Sequence, residues 1–205
     1  MITNYTNLQT AISQFLNRDD LNAIVPTFIQ LAEAQFNRDI RHWKMEKRAV
    51  AQLDSEYYGI PSDWVETIQL HIIGGGTTPI DLTSRQSIAD RRAKALDAVG
   101  RPQYYCHADG QFELFPTPDD EYDIELLYIA KIPALAANTT NWLLDMAPDV
   151  YLYGSLLHSA PYLQEDGRVA VWAQLYSAAV TMLNEASEKA RYSGSGLTMK
   201  VRGLG

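Results

Sequence analysis

The sequence has only one cysteine, Cys106, among its 205 residues. One cysteine cannot form a disulfide within the chain, so we expect a fold that is held by packing alone and that tolerates a reducing cytoplasm. No apolar run approaches the roughly 18 residues of a membrane-spanning helix, and no charged and then apolar leader follows Met1. Neither membrane insertion nor secretion is signalled, and we expect a protein that is soluble where it is made.

Basic residues are in the minority. The chain carries 17 Lys and Arg against 25 Asp and Glu, a formal net charge of -8. A protein that grips nucleic acid needs clustered Lys and Arg to neutralise phosphates, so this balance argues against DNA binding and predicts that nearby DNA is repelled. With 46% hydrophobic residues, the chain is long enough to bury a core of its own.

Reactive groups in catalytic spacing are lacking as well. The glycines at 74–76 have no following Lys-Ser/Thr, so they predict a hairpin turn and not a phosphate loop. Cys106 and His107 are neighbours in a predicted strand, where their side chains leave opposite faces and cannot act as nucleophile and base. The remaining histidines show no metal-ligand spacing: His42, His71 and His158. We expect no enzyme activity, no cofactor and no metal.

One acidic turn offers an alternative from another functional class. Carboxylates crowd the chain after Pro118, at Asp119, Asp120, Glu121 and Asp123. They lack the glycine and terminal glutamate spacing of a calcium loop, which favours a solvated turn. A small monomeric hydrolase using this turn and a regulatory binding module both stay open as alternatives at this point.

The N-terminal region, residues 1–45, is predicted to be helical. Thr6 and Gln9 have the spacing of a capping box for a first helix from about residue 7 to 16. A longer second helix follows, with Pro26 in its first turn. Its apolar side consists of Ile24, Phe28, Leu31, Ala32, Phe36 and Ile40.

The middle region, residues 46–139, is predicted to be a mostly antiparallel β-rich insertion. Apolar and polar residues alternate from Trp64 to Ile72, and Ile68 is among those assigned to the apolar face. Asp109-Gly110 is the favoured two-residue turn of a second hairpin. Between the hairpins, a short charged helix from about 84 to 96 carries a basic patch that includes Arg91 and Arg92.

Residues 140–193 return to a helical pattern and are predicted to close a helical bundle with the N-terminal helices. Pro148 suits a helix start, Pro161 an end, and Asp166-Gly167 a turn. The last helix, from about 168 to 192, extends over roughly 37 Å at the standard rise per residue. Its predicted apolar stripe is Trp172, Leu175, Ala179, Met182, Ala186 and Ala190. The predicted fold class is therefore α+β.

Two sets of residues are candidates for contacts with other proteins. Aromatic and basic side chains are favoured at interfaces, and the candidates of this kind are Tyr151, Tyr162, Trp172, Arg91 and Arg92. The second set lies in the glycine-rich C-terminal arm, residues 194–205, and comprises Leu197, Met199, Lys200, Val201 and Arg202. Apolar and polar residues alternate there as in an extended strand, so the arm is either a frayed terminus or a segment that orders on a partner.

Four blocks of sequence span most of the chain in a recognisable order. They are residues 28–41, Ile60-Pro61-Ser62-Asp63-Trp64, Arg101-Pro102-Gln103-Tyr104-Tyr105 with 112–118, and the stretch from Asn141 through Trp172. Together they resemble the head-to-tail adaptor, or connector, proteins of short-tailed bacteriophages and related particles. Gln35 departs from the family pattern, which more usually has a basic residue there.

The resemblance implies a structural role in the virion, with the protein made in the host cytoplasm. It implies a homo-oligomeric ring, commonly of about twelve copies, that docks below the portal protein and offers its far side to tail or nozzle proteins. The arm would reach the portal, and DNA would pass through the channel without sequence-specific binding. Another neck or tail-completion protein remains the alternative within the structural class.

Overall fold

The computed structural model describes residues 1–74, 76–95, 98–163 and 167–192. These residues contain six α-helices and two four-stranded sheets, which confirms the α+β class. The chain forms two compact units. The helical unit comprises residues 1–44 and the described residues from Ile132 onward, and the β unit is Met45–Lys131.

The β unit ends earlier than the predicted insertion, which extended to residue 139. Residues 132–139 belong to the helical unit because their backbone is tied to its second helix. The Ile132 N–H donates to Asn37 Oδ1 at 2.8 Å, and the Leu135 N–H donates to Glu33 Oε1 at 2.8 Å. Side chains of one helix thus satisfy the backbone of a segment that has no regular structure of its own.

The helical unit begins with α1, Tyr5–Leu16, and α2, Val25–Asp39. The predicted capping box was wrong: Asn4 is the N-cap, and its side chain accepts a hydrogen bond from the Asn7 N–H at 2.8 Å. Asn is among the best N-cap residues, so a cap two residues earlier lengthens the helix by one half-turn. Pro26 lies in the first turn of α2, as predicted.

The C-terminal part of this unit contains α4, Trp142–Met146, α5, Pro148–Leu157, and α6, Arg168–Tyr192. Asn141 caps α4 by accepting hydrogen bonds from the N–H groups of Leu143 and Leu144. Pro148 is in the first turn of α5, as predicted, and Pro161 lies in a short 3-10 helix after the end of α5. Of the predicted Asp166-Gly167 turn, Asp166 lies outside the described residues.

Helix α6 buries a different stripe from the predicted one. Its buried positions are Trp172, Tyr176, Val180, Leu183 and Ser187. Leu175 and Met182, two members of the predicted stripe, are 40% and 71% exposed. The helix therefore has apolar residues on two sides, and the sequence pattern alone does not say which side faces the core.

A close approach joins α5 to α2 and α6. A Cβ atom at Gly154 would lie 2.6 Å from Cε1 of Phe36 and 3.3 Å from Cε2 of Tyr176. The ring of Phe36 contacts the rings of Tyr151 and Tyr176, at centroid distances of 5.0 and 6.0 Å. The absence of a side chain at position 154 thus lets aromatic rings from neighbouring helices fill the space.

The β unit contains eight strands and one helix, α3, Arg85–Lys94. The strands are β1 Glu46–Leu53, β2 Tyr57–Gly59, β3 Trp64–Ile72, β4 Thr78–Pro79, β5 Asp81–Leu82, β6 Tyr104–Ala108, β7 Gln111–Phe115 and β8 Tyr122–Ala130. One sheet has the order β1-β8-β3-β4 and the other β2-β7-β6-β5. All pairs are antiparallel except β5 with β6.

The hairpin at Asp109-Gly110 is confirmed. Both residues have positive φ, 48° and 72°, as a type I′ turn requires, and β6 pairs with β7 on either side of it. The alternation predicted for β3 holds only in part, since the pairing with β8 shifts register between Trp64 and Glu66 and again between Thr67 and Gln69. These irregularities re-aim the side chains, and Ile68 is 41% exposed instead of buried.

The core of the β unit is formed by the facing sides of the strands. Strand β8 contributes alternate residues, and the other sheet contributes Tyr105, Phe112 and Leu114. Ala49 and Ala51 of β1 are packed against this core but are only partly buried. Strand β1 therefore covers one flank of the core with small side chains.

Candidate interaction surfaces

A buried polar network holds the helical unit together at Tyr151, which the sequence suggested as an interface residue. The Tyr151 side chain has no exposed area. Its hydroxyl donates to Glu33 Oε1 at 3.2 Å and accepts from Asn141 Nδ2 at 2.7 Å. Burial raises the pKa values of both Tyr151 and Glu33. Tyr151 is a core residue that links α2, α5 and the cap of α4, and its assignment to an interface was wrong.

Of the other two aromatic candidates, one is buried and one is exposed. Trp172 is 5% exposed, and the guanidinium of Arg168 lies 5.2 Å from its ring centroid. Trp172 therefore belongs to the core, which corrects its assignment to an interface. Tyr162 is 45% exposed, although one side of its ring lies 5.4 Å from the ring of Phe28. Of the three aromatic candidates, Tyr162 alone has an exposed ring, and its use at an interface stays a prediction.

The two arginines of the predicted basic patch bind the β unit itself. Arg92 lies 2.9 Å from Glu56 Oε1 and 3.3 Å from Glu113 Oε1, and it donates to the Leu114 carbonyl at 3.0 Å. The guanidinium of Arg91 lies 4.0 Å from the ring centroid of Tyr104. These contacts fasten α3 to the strands beneath it, and the charge of Arg92 is balanced by Glu56 and Glu113. Both side chains are partly exposed, so the prediction that they serve a partner stays a prediction.

The lone thiol is buried and chemically protected. Cys106 Sγ lies 3.6 Å from Glu113 Oε2, and burial together with that carboxylate raises the pKa of the thiol. A raised pKa keeps the group as a thiol, which is the unreactive form. His107 is exposed on the other side of the strand, with its ring 5.0 Å from the ring of Trp64. The two side chains leave opposite faces, as predicted.

The histidines that the sequence left without a role have structural partners. His42 is 3% exposed, stacks on Trp142 at 5.1 Å, and accepts a hydrogen bond from the Lys44 N–H through Nδ1. His158 Nε2 lies 3.1 Å from Gln35 Oε1. Burial lowers the pKa of both imidazoles. Within the described ranges, no group of three or more His, Cys, Asp or Glu residues could hold a metal ion.

The acidic turn is organised by local hydrogen bonds. The Tyr122 hydroxyl donates to Asp119 Oδ1 at 2.6 Å, and the Glu121 N–H donates to Asp120 Oδ1 at 2.8 Å. Both hydrogen bonds join neighbours in the sequence, as in an ordinary surface turn. The predicted arm residues Leu197, Met199, Lys200, Val201 and Arg202 lie outside the described residues.

An apolar groove of about 310 Å³ opens along one flank of the β unit. It runs beside β1 and the segment around β2, with Ala49, Ala51, Tyr58 and Ile60 on its walls and Phe112 among the residues beneath. Sequence reasoning missed it, since no strand bounds were predicted between 46 and 63. The available signal was the alternation of Ala49 and Ala51 with Arg48, Val50 and Gln52.

A second apolar surface lies on α6. Val171, Leu175 and Met182 are 54%, 40% and 71% exposed, on the side of the helix away from its buried stripe. Clustered exposed apolar residues on a soluble protein mark contact sites more often than scattered ones do. Among the described helices, none is both long and apolar enough to cross a membrane.

Comparison with known protein families places the chain in the class of bacteriophage head-to-tail adaptors. The matching family model is described as SU10 adaptor protein and covers residues 3–200, so the chain belongs to that family. The resemblance seen in the four sequence blocks is thereby confirmed. Membership makes the protein a structural component of a phage virion and favours an assembly role over a catalytic one. No match was found among curated proteins.

Proposed function

We propose that the protein forms a ring below the phage portal, extends the DNA channel, and offers its far side to tail or nozzle proteins. The observation that carries this proposal is the adaptor family match over residues 3–200. The exposed apolar residues of α6 and the exposed ring of Tyr162 support it, because both are surfaces suited to protein contacts. We expect about twelve copies, as is common among head-to-tail adaptors, and in such a closed ring every copy makes the same contacts with its neighbours.

The charge of the chain is compatible with a channel for DNA. A ring of subunits that each carry a net charge of -8 would surround the axis with negative potential. DNA would then slide through without being held, since phosphates find few cations to displace their counterions. In this proposal, Asp and Glu side chains line the lumen, and a lumen that proved strongly basic would contradict it.

The C-terminal arm is the proposed portal contact. Residues 194–205 combine glycines with apolar and basic side chains, a composition suited to a segment that orders on a partner surface. Each contact can be weak on its own, because a ring multiplies it over all copies. In the free protein, contacts between copies are therefore proposed to be weak, and a stable ring forms only on the portal.

Co-sedimentation with isolated portal rings tests this function. The full chain should sediment with portal, and a chain that ends at Ser193 should stay in the supernatant while keeping its helical circular dichroism. Normal attachment of the truncated chain would refute the role of the arm. If the full chain ignored portal rings but bound a different adaptor already docked on them, the protein would be a neck or tail-completion protein instead.

A further inference from the structure

The flank of the β unit along β1 is open. Strand β1 is the outer strand of its sheet, and β2 is the outer strand of the other sheet. Between these two edges lies the apolar groove, whose volume of about 310 Å³ suits a few aliphatic side chains. An outer strand exposes a row of backbone N–H and C=O groups, so β1 offers hydrogen bonds alongside an apolar slot.

The groove has the form of a site for an added strand. In β1, Ala49 and Ala51 face the core side, whereas Val50 is 55% exposed on the outer side. A strand paired with β1 would place every second side chain beside these small alanines and above Phe112 and Leu126. Its remaining side chains would lie on the outer face with Val50. The ligand must therefore alternate apolar residues with polar ones.

The chain itself contains a segment with that pattern. Leu197, Met199 and Val201 alternate with Thr198, Lys200 and Arg202. The three apolar residues would enter the groove, and the two basic residues would lie on the outer face.

That outer face carries carboxylates next to β1. In the pairing of β1 with β8, Val50 lies opposite Glu125 and Gln52 lies opposite Asp123. Glu125 already binds Arg48, whereas Asp123 is on an exposed position of β8. Basic side chains of a strand on the other side of β1 would reach over Val50 toward these carboxylates. Because Arg48 on this face is paired with Glu125, Asp123 is the carboxylate that complements the basic side chains of the segment.

We infer that residues 197–202 of one copy add a strand to β1 of a second copy and fill its groove. This contact rests on the proposed function in one respect, the presence of neighbouring copies in a ring. It gives each copy a donor segment and an acceptor groove, two different surfaces through which copies can associate head to tail before the portal takes up the arm. Before portal is present, the arm then has a place on a neighbouring subunit.

Cysteine cross-linking between full-length copies tests the contact. One protein carries Val50→Cys on the outer side of β1, and a second carries Lys200→Cys at the centre of the segment. After mixing and mild oxidation, we expect a disulfide-linked heterodimer. A matched control replaces the first protein with Val99→Cys, the same substitution at an exposed position of the β unit outside the groove, 67% exposed against 55% for Val50. The groove pair should cross-link about ten-fold faster than the control, because docking raises the local concentration of the thiols.

Three outcomes overturn the inference. The first is equal cross-linking of Val50→Cys and Val99→Cys, and the second is no cross-linking of either. The third is a disulfide that forms only when both cysteines are placed in one chain, which would show that a copy binds its own arm. Because portal is absent from the experiment, these results are independent of the co-sedimentation test.

A change in the segment itself provides a second check. Met199→Asp in the Lys200→Cys protein would put a carboxylate into the apolar groove, and cross-linking should fall to the level of the Val99 control. Met199→Leu preserves the apolar side chain and should keep the full rate. Equal rates for the Asp and Leu variants would contradict insertion of this side chain.

Discussion

At the residue scale, the hydroxyl of Tyr151 is the centre of the helical unit. It donates to Glu33 and accepts from Asn141 in a place without solvent. Tyr151→Phe should lower the free energy of unfolding by about 1–3 kcal/mol, because the buried amide and carboxylate each lose a partner. Chemical denaturation followed by circular dichroism measures the change.

The matched control is Tyr162→Phe, the same substitution on a ring that is 45% exposed. It should change the free energy of unfolding by less than about 0.5 kcal/mol, as surface substitutions usually do. Equal losses for the two variants would mean that the Tyr151 hydroxyl contributes nothing beyond a surface phenol.

The stability of the helical unit should depend on pH through the imidazole of His42. Burial, with a contribution from Lys44 and Arg191, lowers the pKa of its imidazole in the folded state. The unfolded chain takes up this proton near pH 6.5, so the folded state is disfavoured as the pH falls below that value. Stability should be complete above about pH 6.5 and should fall by at most about 1.4 kcal/mol per pH unit for one proton.

Comparison of the native chain with His42→Gln isolates this effect. Glu33 titrates with the opposite sign, since burial raises its pKa, and it is present in both proteins. Between pH 7.5 and 5.5, the native chain should lose more stability than the variant. Parallel stability curves for the two proteins would show that His42 takes up its proton equally in the folded and unfolded states.

Single residues also show where sequence reasoning fails. Tyr151, Tyr162 and Trp172 are all aromatic residues in or near helices, yet only Tyr162 is exposed. Residue type favours both cores and interfaces for such side chains. What separates them is tertiary packing, such as the approach of Glu33 from α2, and no local pattern encodes that approach.

At the element scale, the N-terminus of α1 has two candidate N-cap residues, Asn4 and Thr6. The side chain of Asn4 accepts a hydrogen bond from the Asn7 N–H, whereas the sequence pattern predicted Thr6 as the N-cap. Asn4→Ala should lower stability by about 1 kcal/mol, the usual cost of losing an N-cap. Thr6→Ala should have almost no effect, because residue 6 already lies inside the helix. Thermal unfolding of both variants measures the difference, and a larger loss for Thr6→Ala would restore the predicted capping box.

Helices with strong local signals were predicted well. Pro148 in a first turn and the bounds of α6 follow from residues that act within a few positions of themselves. The predicted buried face of α6 was wrong because the helix carries apolar residues on two of its sides. The sequence did not predict the bounds of strand β1 because its core-facing alanines are only weakly apolar. The irregularities of β3 arise from its pairing with β8. Such features depend on partners distant in sequence.

At the scale of the whole molecule, acidity should keep the protein off DNA. With 25 acidic and 17 basic residues, it has few cations to replace the counterions of a duplex. The purified protein should not retard duplex DNA in gels at about 0.15 M salt, where surface charges more than about 8 Å apart are largely screened. Binding that weakened steeply with added salt would show a concentrated basic surface and would contradict the proposed negative channel.

The order of the two units along the chain has a consequence for synthesis. The β unit is contiguous, whereas the helical unit is interrupted by it, between Lys44 and Ile132. At translation rates of about 5–20 residues per second, the 87 residues of Met45–Lys131 occupy the ribosome for roughly 4–17 s. During that time α1 and α2 emerge from the exit tunnel, but the C-terminal helices that cover them in the folded protein have not yet been made. Nascent chains therefore carry Phe28 and Phe36 uncovered, and the β unit is the first part that can complete its core.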